Sequence, residues 1–372
     1  MPLASALGVR QMLWMGSMVP IPAPYELLQA LTSVEVTNDQ ESGDGFQLVF
    51  ALHKDRSRDY GLVRNPVLAP GTRVIIGVVL GIVPEVLIDG VITHHQVKVG
   101  GGASGELTIT GKDITSQLDL EERNAGFDNQ PDSVIALRTI GAYAQYGLVP
   151  AVTPTTDVPI QVDRVPSQQE TDLAFLRRTA ERNGFVFYVE PVTVGVNTAY
   201  WGPENRLGLP QPALTQDMGA ATNLRSLDFT HDALLPAAPA GVIVEPFLKL
   251  SIPIPPLPSL RIPPLATSPA PALRRTIVRD VANQNPLQAA TAVVAAATNT
   301  GSAVSGDGEV DTVTYGHVLR ARRLVGVRGA GLSYDGLYTV EAVTHRLRRG
   351  DYSQRFRISR EGTGTTVPAV IP

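Results

Sequence analysis

The stretch SYDGLYTVEAVTHRLRRGDYSQRFRIS, residues 333–359, carries the clearest strand pattern in the chain. Apolar side chains recur at every second position in its two halves, at Tyr338, Val340, Ala342, Tyr352, Phe356 and Ile358. A period of two is typical of strands with one buried face. The polar segment 348–351 separates the halves and contains a glycine, so we expect an antiparallel hairpin that turns there.

The outline of this hairpin occurs a second time in the chain. Residues 86–113 contain an Asp-Gly pair, a run that ends in Thr-His, a glycine turn and a second alternating run. In the later stretch the Asp-Gly pair is Asp335 and Gly336, and Thr344 precedes His345. A repeated supersecondary unit indicates internal duplication. We therefore predict two β-barrel domains of one type in a single chain.

The composition favours a mainly β fold. The 372 residues include 34 glycines and 30 prolines, which suits many short strands and turns. Residues 74–80 form an apolar run, as expected of a strand that is buried on both faces. The predicted fold class is mainly β with α+β insertions: two tube-like barrels and a strand–helix–strand connector. The predicted division is an N-terminal arm at 1–30, a first barrel at 31–125, a connector at 126–222 that alternatively completes the first barrel, a second barrel at 223–362 interrupted at 246–306, and a tail at 363–372.

The connector is predicted from two helical patterns. Apolar stripes with helical spacing occur at Val134, Leu137, Ile140 and Ala144, and again at Leu173, Leu176 and Ala180. Ser167 and Glu170 have the spacing of a capping box, so the second helix is expected to begin after Ser167. Gly184 is expected to end that helix, and residues 185–189 to form a strand.

Residues 246–271 form an unusual segment, because nine of these 26 residues are proline. Proline lacks the backbone donor that a central strand needs, so we expect an extended loop here. The apolar side chains in the loop predict contact with a neighbour, and Pro255 and Leu257 are assigned to a partner interface. An alanine-rich helix is expected to follow over residues 286–297.

The sequence offers little for catalysis or cofactor binding. It contains no cysteine, which excludes disulfides, thiolate zinc sites and cysteine nucleophiles. His94 and His95 are adjacent on a predicted strand, so they point to opposite faces and cannot chelate one ion together. Gly100, Gly102 and Gly105 have the spacing of a dinucleotide-binding loop, but a strand follows them where that site needs a helix. We expect no catalytic residue, no metal and no cofactor.

Positive charge is concentrated around the late hairpin. Residues 315–360 hold ten arginines, although the formal net charge of the chain is −4. On the predicted strands they form three same-face pairs, which are Arg320 with Arg322, Arg346 with Arg348, and Arg355 with Arg357. A basic face binds nucleic acid or an acidic protein, and the latter is favoured because the aromatic side chains lie on the opposite face. Arg320, Arg322, Arg355 and Arg357 are therefore assigned to a partner interface.

Three stretches carry a family resemblance. They are Q-E-T-D-L-A-F-L-R at 169–177 with N-G-F at 183–185 and V-F-Y-V-E at 186–190, the pattern G-x-Y-x-V-x-x-V-x-H at 336–345, and the run from Gly71 through Asp89 and Gly90 to Asp113. Together they resemble the late control protein D family, the bacteriophage tail hub proteins related to the N-terminal part of type VI secretion spike proteins. The resemblance spans most of residues 30–360, and the proline-rich segment departs from it.

This resemblance implies a homotrimer in which each chain contributes two tube-like barrels. Three chains would then form a ring of six similar units, which adapts a hexameric tail tube to a trimeric spike. No spike β-helix or lysozyme domain follows residue 360, so the puncturing tip is expected to be a separate chain. The implied partners are further copies of this chain, the tail tube protein, the spike protein and other baseplate proteins.

The sequence therefore predicts a non-enzymatic structural hub of a contractile injection apparatus, most simply a phage tail baseplate within the virion. The alternatives are a hub of a bacteriocin-like or extracellular injection particle, a tail-associated cell-wall hydrolase, and a secreted carbohydrate-binding protein. DNA is expected to pass through the lumen without specific binding. No run of about 18 apolar residues occurs, so no membrane insertion is expected.

Overall fold

The computed structural model describes residues 8–17, 19–54, 59–99, 104–155, 157, 166–244, 251–279 and 286–367. Four predicted features lie partly or wholly outside these residues: the start of the N-terminal arm at 1–7, the glycine turn at 100–103, the proline-rich residues 246–250 and the end of the tail at 368–372. Within the described residues the fold is mainly β, as the sequence predicts.

The first part of the chain forms an antiparallel sheet. Its elements are β1 (Val9–Gly16), β2 (Ile21–Pro22), α1 (Tyr25–Ala30), β3 (Leu31–Asp39), β4 (Gly45–His53), β5 (Arg73–Leu80), β6 (Val83–Val99) and β7 (Ser104–Asp113). Hydrogen bonds join the strands in the order β3-β4-β7-β6-β5-β1-β2. Every residue of β5 is buried, as its apolar run predicts, because β5 lies between β1 and β6.

A mixed α/β segment follows. It contains β8 (Glu122–Gly126), α2 (Asp132–Gly141), β9 (Leu148–Val152), β10 (Ser167–Thr171), α3 (Asp172–Arg182), β11 (Val186–Thr193) and β12 (Val196–Gly202). Strands β9, β11 and β12 form a three-stranded sheet, and β8 pairs with β10. Trp201 is fully buried in this segment and donates its indole N–H to the Leu176 carbonyl at 3.1 Å, which ties β12 to α3.

The last part returns to the large sheet. Its elements are β13 (Gln211–Thr215), β14 (Leu224–His231), β15 (Ala237–Val244), β16 (Ser251–Ile254), β17 (Ala266–Pro269), β18 (Arg274–Val278), α4 (Pro286–Thr298), β19 (Val304–Asp311), α5 (Thr312–Tyr315), β20 (Leu324–Arg328), β21 (Gly336–Arg348), β22 (Asp351–Arg360) and β23 (Gly362–Thr365). β14, β19, β22, β21 and β20 are neighbours in that order, and β13 extends the group beside β20.

The same five-strand arrangement occurs twice. We call β3–β7 the first unit, and β14, β19, β20, β21 and β22 the second unit. Numbered along the chain within each unit, the strands lie in the order 3-4-5-2-1, and every neighbouring pair is antiparallel. The two hairpins that the sequence pairs, β6–β7 and β21–β22, occupy the same place in both units. The division of the chain into separate barrel domains stays a prediction.

The irregularities of the two units also coincide. The first strand of each unit has a register shift two residues from its start, between Leu31 and Ser33 in β3 and between Leu224 and Ser226 in β14. The fourth strand shifts between Ile92 and His94 in β6 and between residues 340 and 342 in β21. Bulges are specific features of a strand and are kept within families, so their coincidence supports a duplication.

A single strand pairing, which we call the joint, connects the two units. Residues 33–39 of β3 pair antiparallel with residues 342–348 of β21, while the first half of β21 pairs with β20. All strands of both units therefore belong to one 13-stranded sheet. The late hairpin, β21–β22, makes this connection through β21.

The long hairpin contributes to two cores. Leu347 and Tyr352, at its far end, are buried in the core of the first unit. Val340, Phe356 and Ile358, nearer its base, are buried in the core of the second unit. The sequence predicts one continuous apolar face through Ala342, but the bulge at Glu341 reverses the alternation, and Val343 instead of Ala342 is buried.

Two helix predictions need correction. In α2 the predicted stripe is wrong in part: Ile140 is buried as predicted, but Val134 and Leu137 are exposed while Ile135 and Ala136 are buried. The helix is apolar on two sides, and the sequence does not show which side meets the core. The capping box at Ser167 and Glu170 is also wrong: these residues lie in β10, and Thr171 caps α3 by accepting from the Ala174 N–H at 3.3 Å.

The other connector predictions are confirmed. Leu173, Leu176 and Ala180 are buried on one side of α3. Gly184 ends the helix with φ +67°, and a Cβ there would lie 3.0 Å from the Ala295 Cα of α4. Glycine is therefore required both by the left-handed backbone and by the close approach of α4.

Residues 232–303 form an insertion between β14 and β19, where the first unit has only residues 40–44. The insertion contains the small sheet β16-β15-β18, and the predicted alanine-rich helix is α4, which packs on that sheet. The described part of the proline-rich segment, residues 251–271, contains the strands β16 and β17, and each of them pairs with a single neighbour. This agrees with the rule that proline is confined to sheet edges.

Truncation of Leu347 tests whether the far end of the hairpin belongs to the first core. Leu347→Ala should lower the free energy of unfolding by about 2–5 kcal/mol, because it removes a fully buried side chain. Leu332→Ala is the matched control, since Leu332 is 86% exposed and should cost no more than about 0.5 kcal/mol. Urea unfolding measures both values, and equal losses would contradict this packing.

Candidate assembly interface

The joint is held by complementary side chains as well as backbone pairing. Arg346 Nε donates to Glu35 Oε2 at 2.9 Å, and these two residues are directly opposite in the register. The Thr37 and Thr344 hydroxyl oxygens are 3.3 Å apart. On the opposite face Leu347 lies across from Val34, and both are buried. Charge, hydroxyl and apolar contacts thus select one register for the two strands.

His345 lies on the buried face of the joint, opposite Val36. Its Nδ1 is 3.0 Å from the Tyr352 hydroxyl. Burial, and then the charge of Arg320, lower the pKa of His345 to about 3. The imidazole is therefore neutral near pH 7, which suits its place between two apolar cores.

Each unit leaves one edge open in the described residues. The outer edge of β14 ends the sheet, with no strand paired beyond it. In the first unit β5 covers β6 only as far as Val91, so residues 93–99 pair with β7 on one side and with no described strand on the other. An unpaired edge is a template for adding a strand. These two edges are the candidate assembly surfaces of the chain.

The structure corrects the placement of Arg320 and Arg322. They precede β20 in a loop, not on a strand, and Arg322 adopts φ +63°. Arg320 Nη2 binds Glu85 Oε2 at 2.8 Å, and Arg322 holds both carboxylate oxygens of Asp44 at 2.6 and 2.9 Å. Both arginines therefore link the second unit to the first within the chain. Their assignment to a partner interface stays a prediction.

Arg322 is the centre of a buried charged cluster. Its guanidinium carbon lies 4.8 Å from the centre of the Tyr188 ring, so the connector also contacts it. Asp113 lies in the same cluster, and Thr115 donates its hydroxyl to Asp113 at 2.6 Å. Burial, and then the charge of Asp44, raise the pKa of Asp113 to about 7. The cluster borders a cleft of about 480 Å³ that is lined by the first unit, the connector, the insertion and Arg322.

Arg355 and Arg357 lie on the exposed face of β22, as predicted, with side chains 57% and 54% exposed. Each is paired across the sheet with an acidic residue of β19: Arg355 with Glu309 at 2.8 Å, and Arg357 with Asp307 at 3.1 Å. The acidic neighbour that the sequence assigns to a partner is thus supplied, at least in part, by the chain itself. Their assignment to a partner interface stays a prediction.

The proline-rich positions are more varied than predicted. Pro255 is exposed, and Leu257 is half-buried. Further along the same segment, Leu260 N–H donates to the Thr298 hydroxyl at 2.9 Å, which holds the loop against α4. The neighbour for this part of the loop is therefore the helix of the same insertion, and an intermolecular role for Pro255 and Leu257 stays a prediction.

Sequence reasoning missed a second buried ion pair. Arg73 Nε and Nη2 donate to the two oxygens of Asp89 at 2.8 and 2.6 Å, and both residues are buried. Asn197 donates to Asp89 at 2.8 Å, so the pair connects the first unit to β12. The signal was the Asp-Gly pair of the repeated hairpin. Asp89 is the charged member of that pair and lies inside β6.

The described residues contain no cluster of three or more His, Asp or Glu side chains that is arranged to hold a metal ion. In the same part of the chain, no helix is both long and apolar enough to cross a membrane.

Comparison with known sequences assigns no family. A family model described as the Alg8 N-terminal domain matches residues 29–209, which is less than half of the chain and leaves out the second unit. No curated protein matches the chain. Membership of the late control protein D family stays a prediction.

Comparison with solved structures identifies the fold. The tail protein from Neisseria meningitidis MC58 is similar, with a TM-score of 0.64, 14% identity, and coverage of 97% of this chain and 99% of that chain. The 43 kDa tail protein of prophage MuSo2 from Shewanella oneidensis has a TM-score of 0.64, 14% identity, and coverage of 95% and 99%. The E. coli c3393 protein, a component of the type VI secretion system, has a TM-score of 0.55, 13% identity, and coverage of 92% and 77%. At these identities the likeness establishes a shared fold.

Arg322 provides a test of the charged cluster. Arg322→Met should lower the free energy of unfolding by about 3–5 kcal/mol, because it leaves the buried Asp44 carboxylate without its cation. Arg323→Met is the matched control, since the neighbouring Arg323 is half-exposed and should cost no more than about 1 kcal/mol. Chemical denaturation compares the two variants. Similar losses would mean that the Asp44 pair does not anchor the units.

Asp113 gives the cluster a pH dependence with a definite sign. Its pKa is about 7 when folded and 3.8 in its ordinary state, so the folded carboxyl stays protonated over a range where the unfolded one is charged. The stability it contributes is complete below pH 3.8 and is lost as the pH rises through 7. Asp113→Asn should therefore match the native chain near pH 4 and exceed its stability above pH 7, by an amount on the order of 1 kcal/mol or more.

The control for this pH profile is Asp217→Asn, because Asp217 is exposed in a turn. Thermal melts of the native chain and both variants from pH 4 to pH 8 measure the effect. A constant offset between Asp113→Asn and the native chain across this range would contradict the raised pKa.

Proposed function

We propose that this protein is a structural hub of a contractile injection apparatus, most simply a phage tail baseplate. In this proposal three copies form a ring that contacts the tail tube on one side and a separate spike protein on the other. Other baseplate proteins bind around it, and DNA passes through the lumen without specific binding. A bacteriocin-like or extracellular injection particle is a second setting for the same role.

The observation that carries this proposal is the duplicated five-strand unit, with its two copies joined edge to edge in one chain. Two similar units per chain and three chains give six similar units, which is what a three-fold to six-fold adaptor requires. The similarity in fold to tail proteins from Neisseria and Shewanella supports the same reading.

We propose a non-enzymatic role for the Asp44 and Asp113 pair. A carboxyl group with a raised pKa beside a cleft is a feature that a cell-wall hydrolase would also need. Here both oxygens of Asp44 bind Arg322, and Asp113 accepts a hydrogen bond from Thr115. The pair therefore serves packing between the units in this proposal.

The mass of the assembled protein tests the proposed function. At micromolar concentration, sedimentation should give three times the chain mass of 39.7 kDa, and electron microscopy should show rings with six similar lobes. A tail tube protein should bind to the ring. A stable monomer at assembly concentration that binds no tube protein would contradict the proposal.

A further inference from the structure

We propose that the open edge of β14 in one copy pairs antiparallel with residues 94–99 of β6 in a second copy, in the register that places Lys98 opposite Asp228. This inference rests on the proposed homo-oligomer and specifies how its subunits meet. It follows from the internal repeat. The strands at the two open edges, β14 and β6, are equivalent to β3 and β21, which already pair with each other in the joint.

The equivalences come from strand pairing and are fixed by the bulges. β3 and β14 are each the first strand of their unit, and the first paired residues after the register shift are Ser33 and Ser226. β6 and β21 are each the fourth strand, and the corresponding residues are His94 and Ala342. In the joint, β3 pairs with β21. The same pairing of a first strand with a fourth strand, made between two copies, places β14 of one copy beside β6 of the other.

The register of the joint transfers without adjustment. Arg346 is four residues after Ala342, and Glu35 is two residues after Ser33, and these two are directly opposite. By the same count Lys98 is four residues after His94, and Asp228 is two residues after Ser226. The ion pair of the joint is thus replaced by another pair of opposite charge.

In the part of the chain that the structure describes, Lys98 lies directly opposite Glu106 of β7 but is not within ion-pair distance of it. Lys98 and Asp228 are exposed, and no ion pair involves either of them there. Asp228 also lies directly opposite Asp307 on β19, and like charges across a sheet are unfavourable. A lysine arriving from a second copy would offset that repulsion.

The apolar face continues across the same register. In the joint, Leu347 lies opposite Val34 on the core side. The equivalent pair between copies is Val99 with Leu227. Val97 likewise meets Phe229, and in the isolated chain Val97 is 38% and Val99 66% exposed. Pairing would cover both valines and extend the core of the second unit towards the neighbour.

A second copy is the natural occupant, because the two edges cannot meet within one chain. Six strands separate β14 from β6 along the sheet. The contact is therefore head-to-tail, with different surfaces on the two sides. Such a contact closes into a three-chain ring if each step from one unit to the next turns by one sixth of a circle, so that each chain turns by one third, and it otherwise grows into a filament.

Engineered disulfides test the register directly, since the chain contains no cysteine of its own. Gln96 and Thr230 are exposed and directly opposite in the proposed register, at the position that Thr344 and Thr37 occupy in the joint. The double variant Gln96→Cys/Thr230→Cys should form covalent dimers and trimers under mild oxidation, because directly opposite residues have Cα atoms about 5 Å apart.

Two matched variants accompany it. Thr37→Cys/Thr344→Cys should form an intrachain disulfide, which removes only the two thiol hydrogens and joins no second chain, and so shows that this type of position can crosslink. Gln96→Cys/Ser226→Cys should not crosslink, because Ser226 is four residues along the strand, roughly 13 Å from Thr230. Non-reducing gels and intact-mass spectrometry measure, for all three variants, how many chains are covalently joined.

Charge exchange provides an independent measurement. Lys98→Glu and Asp228→Lys should each raise the subunit dissociation constant about tenfold or more, and the double exchange should largely restore it. Sedimentation at several concentrations measures the constants. Equal weakening by the singles and the double would overturn the Lys98–Asp228 register.

The outcomes separate this inference from the proposed function. A trimer in which only Thr37→Cys/Thr344→Cys crosslinks would overturn the β14–β6 contact and leave the trimeric hub standing. A native chain that is monomeric at assembly concentration would overturn the proposed function itself. Covalent filaments of the Gln96→Cys/Thr230→Cys variant would support the contact and contradict a closed three-chain ring.

Discussion

The pairing of β3 with β21 is the constraint on which the rest of the structure depends. A sheet edge exposes backbone donors and acceptors, which must pair with another strand, with water or with a neighbouring molecule. In the joint, the edge of β3 in the first unit pairs with β21 of the second unit. The long hairpin β21–β22 then contributes buried side chains to both cores. Arg322 with Asp44 and Arg320 with Glu85 act across the same boundary. The two units are therefore held by backbone, apolar and ionic contacts together.

Much of the fold was predictable where the signal is local. Alternation predicted the late hairpin and its turn at Gly350, the apolar run predicted the buried strand β5, and Gly184 predicted the end of α3. Local patterns failed where two solutions satisfy them equally. α2 has apolar residues on two sides, and only the packing of the connector decides that Ile135 is buried and Val134 is not. The bulge at Glu341 likewise depends on the neighbouring strands, since no glycine or proline marks it.

The candidate interface was predictable only in outline. Sequence reasoning recognised that the arginines near the late hairpin need acidic partners, but the partners are far away in the chain. Arg322 meets Asp44 across 278 positions, and Arg355 meets Glu309 across 46. The residues that distinguish the open edges, Lys98 and Asp228, carry no motif at all. They become visible only when the pairing registers of the two units are compared.

The two units are alike in their five strands and different in what surrounds them. The first is extended beside β5 by the antiparallel strand β1, and the second beside β20 by the parallel strand β13. The insertion at 232–303 occurs in the second unit alone. Any ring built from this chain would therefore alternate between two kinds of unit. Its backbone sheets would repeat once per unit, while the insertion and the connector would repeat once per chain. Duplication of the unit, followed by an insertion into only one of the two copies, would therefore give such a ring twice as many repeats in its sheets as at its periphery.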